Sequence, residues 1–298
     1  MVTASMILLG TLYPLVLDAI SGAKLSVGPP YFNALFVPLI AILMLALAVG
    51  VLVRWKDTPT RWLRNMLTPV LIGTVVLGGL GSFLYGELHW EVLAVFMLAA
   101  WVVLAGVRDF FDKVRHKGVI AGAAGLNRSY WGMQLAHFGI AICAIGVVLT
   151  SQFSAQRDLR MAPGESVELA GYQFRFEGTH HFEGPNFTSD KGTIVVTRNG
   201  SEVATLHPEK RLYSVQNSMM TEAGIHGSLT RDLYVALGEP LDSGAWAVRV
   251  HIKPFVRFIW LGGLLMALGG VLAALDRRYR LKVKTRVREA LGLAGQGA

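Results

Sequence analysis

Residues 131–151 read Trp131-Gly132-Met133-Gln134-Leu135-Ala136-His137-Phe138-Gly139-Ile140-Ala141-Ile142-Cys143-Ala144-Ile145-Gly146-Val147-Val148-Leu149-Thr150-Ser151. A bilayer-crossing helix needs about 20 predominantly apolar residues, and this run supplies them. Similar runs lie at about 4–20, 33–53, 66–86, 91–107 and 255–275, the first of them short. The whole chain of 298 residues is 53% hydrophobic and only 16% charged, against about 25% charged in soluble domains. The expected fold class is therefore an α-helical polytopic membrane protein with five to six transmembrane helices. Between the last two runs, residues 152–254 are expected to form a small β-rich extracytoplasmic domain.

The charge pattern sets an orientation. Net charge is +8, but it is concentrated. Residues 54–65, 108–130 and 276–298 together hold 16 Lys and Arg against 5 Asp and Glu. Residues 152–254 hold 10 basic and 12 acidic residues. Short basic segments flanking apolar runs follow the positive-inside rule. The reading places 54–65 (Arg54, Lys56, Arg61, Arg64), 108–130 and the basic tail 276–298 in the cytoplasm, and the β domain in the periplasm. Membrane orientation accounts for the basic balance, so no nucleic-acid partner is inferred. Residues 1–20 lack a basic start and do not resemble a cleavable signal peptide. The lone cysteine, Cys143, permits no intramolecular disulfide.

Within 152–254, Ser166–Phe176 alternates polar and apolar residues, as half-buried strands do. Arg198-Asn199-Gly200 sits between two further alternating runs, and Asn-Gly there is a strong hairpin signal. Leu229–Leu237 and Ala245–Ile252 are expected strands. In the helices, Gly73, Gly78, Gly79 and Gly81, then Gly262, Gly263, Gly269 and Gly270, are expected to let backbones approach closely. Trp55, Trp62, Trp90, Trp131 and Trp260 fall near span ends, as an aromatic belt requires.

His137 is the most informative candidate for chemistry. An ionisable group inside a span is costly and marks function by default. A neutral imidazole is a common haem axial ligand. Helical spacing puts Met133, Ala141 and Ala144 on its face, where the two alanines leave room for a flat macrocycle. Gly139, Cys143 and Gly146 form a second strip for helix contact. A histidine hydrogen-bonded to a neighbouring helix satisfies the same pattern, and the residues alone leave both readings open. His89, His116, His180, His181, His207, His226 and His251 are read as structural or solvated. No nucleophile–base pair, paired catalytic carboxylates or phosphate loop stands out, and catalytic residues are not assigned.

Several motifs in order then resemble one family. They are Gly10-Thr11-Leu12-Tyr13-Pro14-Leu15, Lys24-Leu25-Ser26-Val27-Gly28-Pro29-Pro30-Tyr31-Phe32-Asn33, Trp131–Gly139 and Ser154–Met161. Further along come Ser218–Ala223, Thr230–Tyr234 and Gly244–Arg249 running on to Arg257. The series resembles the carboxy-terminal half of the CcmF family, the haem lyase subunits of cytochrome c maturation, from about residue 8 to 280. That resemblance implies a bacterial inner-membrane complex that receives haem from a carrier (a haem chaperone), keeps it reduced and ligates it to apocytochrome c. It implies haem b as cofactor, with His137 as one axial ligand to the haem iron and the second supplied by the other half of the protein. It implies thiol-reducing and apocytochrome-binding subunits as partners, quinol as electron source, and a periplasmic docking role for 152–254. Members of the family are about twice this length and carry a tryptophan-rich haem loop in their amino-terminal half. The sequence is therefore expected to be a fragment, a split-gene product or a mis-started frame, inactive without that half. A transporter or haem-export module, recognisable by helices broken at mid-membrane, and a non-catalytic docking scaffold are the other readings.

Overall fold

The computed structural model describes residues 2–25, 27–53, 58–84 and 89–276. Arg54, Trp55 and Lys56, and the tail from Arg277, lie outside the described residues. Contacts divide the chain into two compact units. One contains five helices and the facing parts of two more; the other is Cys143–Leu261.

The helices are α1 Val2–Ser21, α2 Pro29–Leu52, α3 Thr60–Phe83, α4 Trp90–Val114, α5 Val119–Ala124, α6 Arg128–Phe153 and α7 Val256–Ala274. Six of them, all but α5, are long and apolar enough to cross a membrane. The chain is thus a polytopic α-helical protein, with the 2–21 helix among the six. Prolines 14, 38 and 69 lie inside α1, α2 and α3, and each helix continues through its proline. None of the described spans is interrupted in the paired manner expected of a transporter.

Helix α4 runs beyond the expected end at 107, through Arg108, Asp109, Asp112 and Lys113. Charges that appear to end an apolar run do not end the helix here. Lys113 pairs with Asp109 one turn earlier, and Arg115 with Asp112, so opposite charges meet along the surface. Phe110, Phe111 and Val114 continue the apolar content between them.

Small residues bring α3 against α4. A Cβ added at Gly78 would lie 2.9 Å from the Met97 Cα, and one at Gly81 would strike the Phe96 ring. Gly73 receives Leu104, whereas Gly79 faces open space. The Trp101 indole donates a hydrogen bond to the Leu45 carbonyl, 3.2 Å away, tying α4 to α2. Around it pack Ala48, Leu52, Met66, Val70 and Ala105.

Residues 155–254 form a β-sandwich. The strands are β1 Ala155–Met161, β2 Ser166–Leu169, β3 Tyr172–Glu183, β4 Phe187–Arg198, β5 Ser201–Leu206, β6 Glu209–Tyr213, β7 Ser218–Glu222, β8 Gly224–Gly227, β9 Arg231–Pro240 and β10 Trp246–Pro254. One sheet has the order β1-β10-β9-β8; the other runs β2-β3-β4-β6-β7, with β5 also on β4. All pairings are antiparallel. The alternation at Ser166–Phe176 is a hairpin rather than a single run, because Ala170 and Gly171 turn the chain with φ of 47° and 75°. The expected Asn199-Gly200 turn has φ of 49° and 79°, the double left-handed geometry whose twist matches the flanking strands. Between the sheets Phe174, Phe176, Ile194, Leu233, Val235 and Val250 are fully buried. Burying such side chains is worth about 1.5–3 kcal/mol each.

Candidate functional site

Helix α6 presents three different faces. Gly132 and Gly139 sit against α7: a Cβ at Gly132 would be 2.5 Å from the Gly269 carbonyl oxygen, and one at Gly139 2.7 Å from that of Gly262. Further along, a Cβ at Gly146 would lie 2.8 Å from the Ile259 nitrogen. The glycine strip therefore has seven-residue spacing, 132–139–146. Of the expected Gly139–Cys143–Gly146 strip, Gly139 and Gly146 lie against α7, Cys143 is half-buried, and Gly132 extends the row by one heptad towards the start of α6. Two heptads of a helix turn almost whole revolutions, which keeps such a row on one side. On α7, Gly262 and Gly269 face α6, while Gly263 and Gly270 face open space.

A second face meets α4. The Gln134 amide donates to the Gly106 carbonyl (3.0 Å) and to the Tyr130 hydroxyl (2.7 Å). A Cβ at Gly106 would lie 2.5 Å from the Gln134 Oε1, so the glycine leaves the space that this amide occupies. Lys113 stands over the Tyr130 ring at 5.1 Å, and Trp131 packs at 5.8 Å from Phe110.

His137 lies beside this α4-facing stripe, three residues after Gln134 and four before Ala141. Its imidazole is half-buried, and no described residue hydrogen-bonds it. The histidine–helix hydrogen bond, the plainer reading of the sequence, is absent among the described residues. Ala141 is only 2% exposed, so the room expected beside it is already covered. Met133 and Ala144 are half-buried instead, as His137 itself is.

The donor set bears on what His137 can hold. Among the described residues no three His, Cys, Asp or Glu side chains cluster as a metal site. A lone, unpartnered imidazole on an apolar helix face suits a haem iron, for which a protein side chain supplies only an axial position. It does not suit a structural zinc, which takes four protein ligands.

The other histidines fall elsewhere. His180 and His181 are exposed on β3, with His181 Nδ1 3.6 Å from an Asp190 oxygen. His116 accepts from the Arg115 guanidinium at 3.1 Å. His89 immediately precedes α4 and His226 is half-buried on β8. His207 is exposed, and His251 on β10 stands edge-on to Tyr234, 6.3 Å between ring centres.

Fold and site together define a multi-pass membrane protein that carries a β-sandwich between its last two spans. Residues 152–254 match the family model described as the CcmF C-terminal beta-sandwich. The chain is 77% identical over 295 residues to the cytochrome c-type biogenesis protein CcmF of Pseudomonas aeruginosa, covering 99% of this chain and 45% of that protein. With the Escherichia coli CcmF the identity is 42% over 281 residues, covering 93% of this chain and 42% of the relative. A solved structure titled "Cytochrome c Heme Lyase CcmF" superposes with a TM-score of 0.72 over 92% of this chain and 43% of its own, at 23% identity, a likeness of fold. The chain belongs to the CcmF family of cytochrome c-type biogenesis proteins and corresponds to the carboxy-terminal part of its members. It spans less than half the length of the relatives it matches.

Proposed function

We propose that this chain serves a membrane complex that receives haem from a carrier, keeps it reduced and joins it to apocytochrome c, with His137 as one axial ligand of a buried b-type haem. The observation that carries this reading is the His137 imidazole, half-buried on an apolar helix and hydrogen-bonded by no described residue. A nitrogen lone pair held out of water without a partner is costly, and coordination offsets that cost. When bound, a haem ligated by two imidazoles supplies reversible one-electron transfer in a low-dielectric setting.

The residues of this chain then have distinct roles. His137 would hold the haem iron through its imidazole nitrogen. Gln134, fixed by Gly106 and Tyr130, sets the rotation of α6 and so the direction of the imidazole. Gly132 and Gly139 hold α7 close on another side. Any second ligand would come from outside the described residues. The basic segments support a periplasmic sandwich and a cytoplasmic carboxy terminus. The sandwich serves to dock the haem carrier or the apocytochrome, alongside thiol-reducing subunits, and quinol supplies electrons.

The test is to co-express the chain with an amino-terminal CcmF half and record reduced-minus-oxidised visible spectra of the purified membrane complex. The b-type α band disappears in His137→Ala and persists in His226→Ala. An undiminished band in His137→Ala overturns the ligand assignment.

A further inference from the structure

The turn joining β8 to β9 carries an arrangement that haem ligation does not use. Residues Gly227–Arg231 form a closed loop: Ser228 donates from its backbone N–H (2.8 Å) and its hydroxyl (2.9 Å) to the Arg231 carbonyl, and the Arg231 N–H donates back to the Ser228 hydroxyl at 3.2 Å. At the tip of this loop Leu229 is 75% exposed. An apolar side chain on a loop so firmly closed is held out by the backbone rather than by disorder.

The loop stands where the chain passes into a span. The Phe255 N–H donates to the Thr230 carbonyl at 3.0 Å, and α7 begins at Val256. On the other side of the domain entry, the Thr150 hydroxyl, one turn before the end of α6, donates to the Pro254 carbonyl at 2.6 Å. Residues 150–154 and 254–258 therefore share one level, and Trp260, a turn further along α7, is largely exposed, as an interfacial indole is.

Two cations converge at the same level. The Arg198 Nη1 donates to the Tyr172 hydroxyl at 2.9 Å, and the Arg231 Nε donates to the same oxygen. Their guanidinium carbons lie 4.8 and 4.5 Å from the Tyr172 ring centre. Among the described residues no carboxylate pairs with either arginine. Nearby, Asp232 is taken by Arg257, whose guanidinium lies over Gly227. Two like charges gathered on one phenol oxygen repel each other, and an anion placed between them relieves that repulsion.

We propose that Leu229, Arg198 and Arg231 form a seat for the phosphate headgroup of an anionic membrane lipid. The leucine enters the boundary between headgroup and acyl chain, while the guanidiniums bind phosphate oxygens, for which their forked donors are suited. The lipid fixes the height and tilt of the sandwich over the bilayer. Free phosphate offers the same oxygens without acyl chains, so Leu229 and the placement beside α7 favour the lipid.

The experiment uses the full chain in nanodiscs containing equal parts phosphatidylglycerol and phosphatidylcholine. Native mass spectrometry then reads the lipids that remain bound after release. Wild type retains phosphatidylglycerol over phosphatidylcholine, and each guanidinium removed, in R198Q and R231Q, lowers that retention about five-fold. R198K/R231K keeps most of it. L229D, altered only at an exposed tip, lowers it with the fold unchanged by circular dichroism. Equal retention of the two lipids by wild type, or retention unaltered in L229D and R198Q, overturns the proposal. Displacement of the lipid by millimolar inorganic phosphate also overturns it, assigning the site to a free anion.

Discussion

Gly139 on α6 faces the carbonyl of Gly262 on α7 so closely that a single added carbon would lie 2.7 Å from that oxygen. The Met266 nitrogen would be 2.9 Å from the same carbon, so the obstacle is backbone and cannot swing aside. In lipid, where water does not drive helices together, close backbone approach supplies much of the association.

Gly139→Leu is therefore expected to separate α6 from α7 at this point. Overpacking against backbone costs about 1–3 kcal/mol. The measurement is the midpoint of thermal unfolding of the full chain in detergent, read by static light scattering, with Gly263→Leu as control. Gly263 faces open space, so its substitution leaves the midpoint unchanged.

Met133→Trp fills the accessible side of α6 one turn before His137. Met133 is half-buried, so part of its side chain is open to a larger ring. The expected outcome is loss of most b-type absorbance per complex, with the thermal midpoint within a degree or two of wild type. Full absorbance in that variant places the cofactor on another face.

In the sandwich, Gly200→Val forces a β-branched residue to φ of 79°, a left-handed conformation costing about 1–2 kcal/mol. Asn199 tolerates its own φ of 49° because its short amide side chain bonds locally. Amide hydrogen exchange of the full chain should show faster exchange in β4 and β5. Exchange in β1 and β10, which belong to the other sheet, changes less.

The sandwich also depends on pH through His251. Burial pushes its imidazole below the ordinary histidine range, with Lys253 and Arg249 adding to that shift and Asp158 opposing it. A lowered folded-state pKa means that the unfolded chain takes up the proton first. The associated stability is present above about pH 6.5, the unfolded value, and is lost as pH falls through the folded one. Exchange protection in β10 is thus expected to fall between pH 7.5 and pH 5, and His251→Gln removes that part of the fall.

Much of this architecture is legible in the residues. The apolar runs carry the spans, and Asn199-Gly200 carries its hairpin, because each rests on local chemistry. The Ala170-Gly171 turn is not legible in the same way, because an alanine at positive φ has no local signature. The extension of α4 past Arg108 depends on ion pairs along its own surface, which a search for apolar runs discards. His137 is visible as an ionisable residue in a span. How α6 is turned against α4 depends on Gly106 and Gln134, residues 28 apart that meet only in three dimensions.

The first strand of the sandwich pairs with its last, Ala155 opposite Ile252, and Asp158 is clasped by Arg249 through hydrogen bonds of 2.7 and 3.0 Å. Entrance and exit of the domain are thus next-door neighbours. In architectural terms the sandwich is a cassette clipped into the connection between two spans. Strain inside the sandwich is therefore closed off at its own entrance, where β1 and β10 are paired along their length.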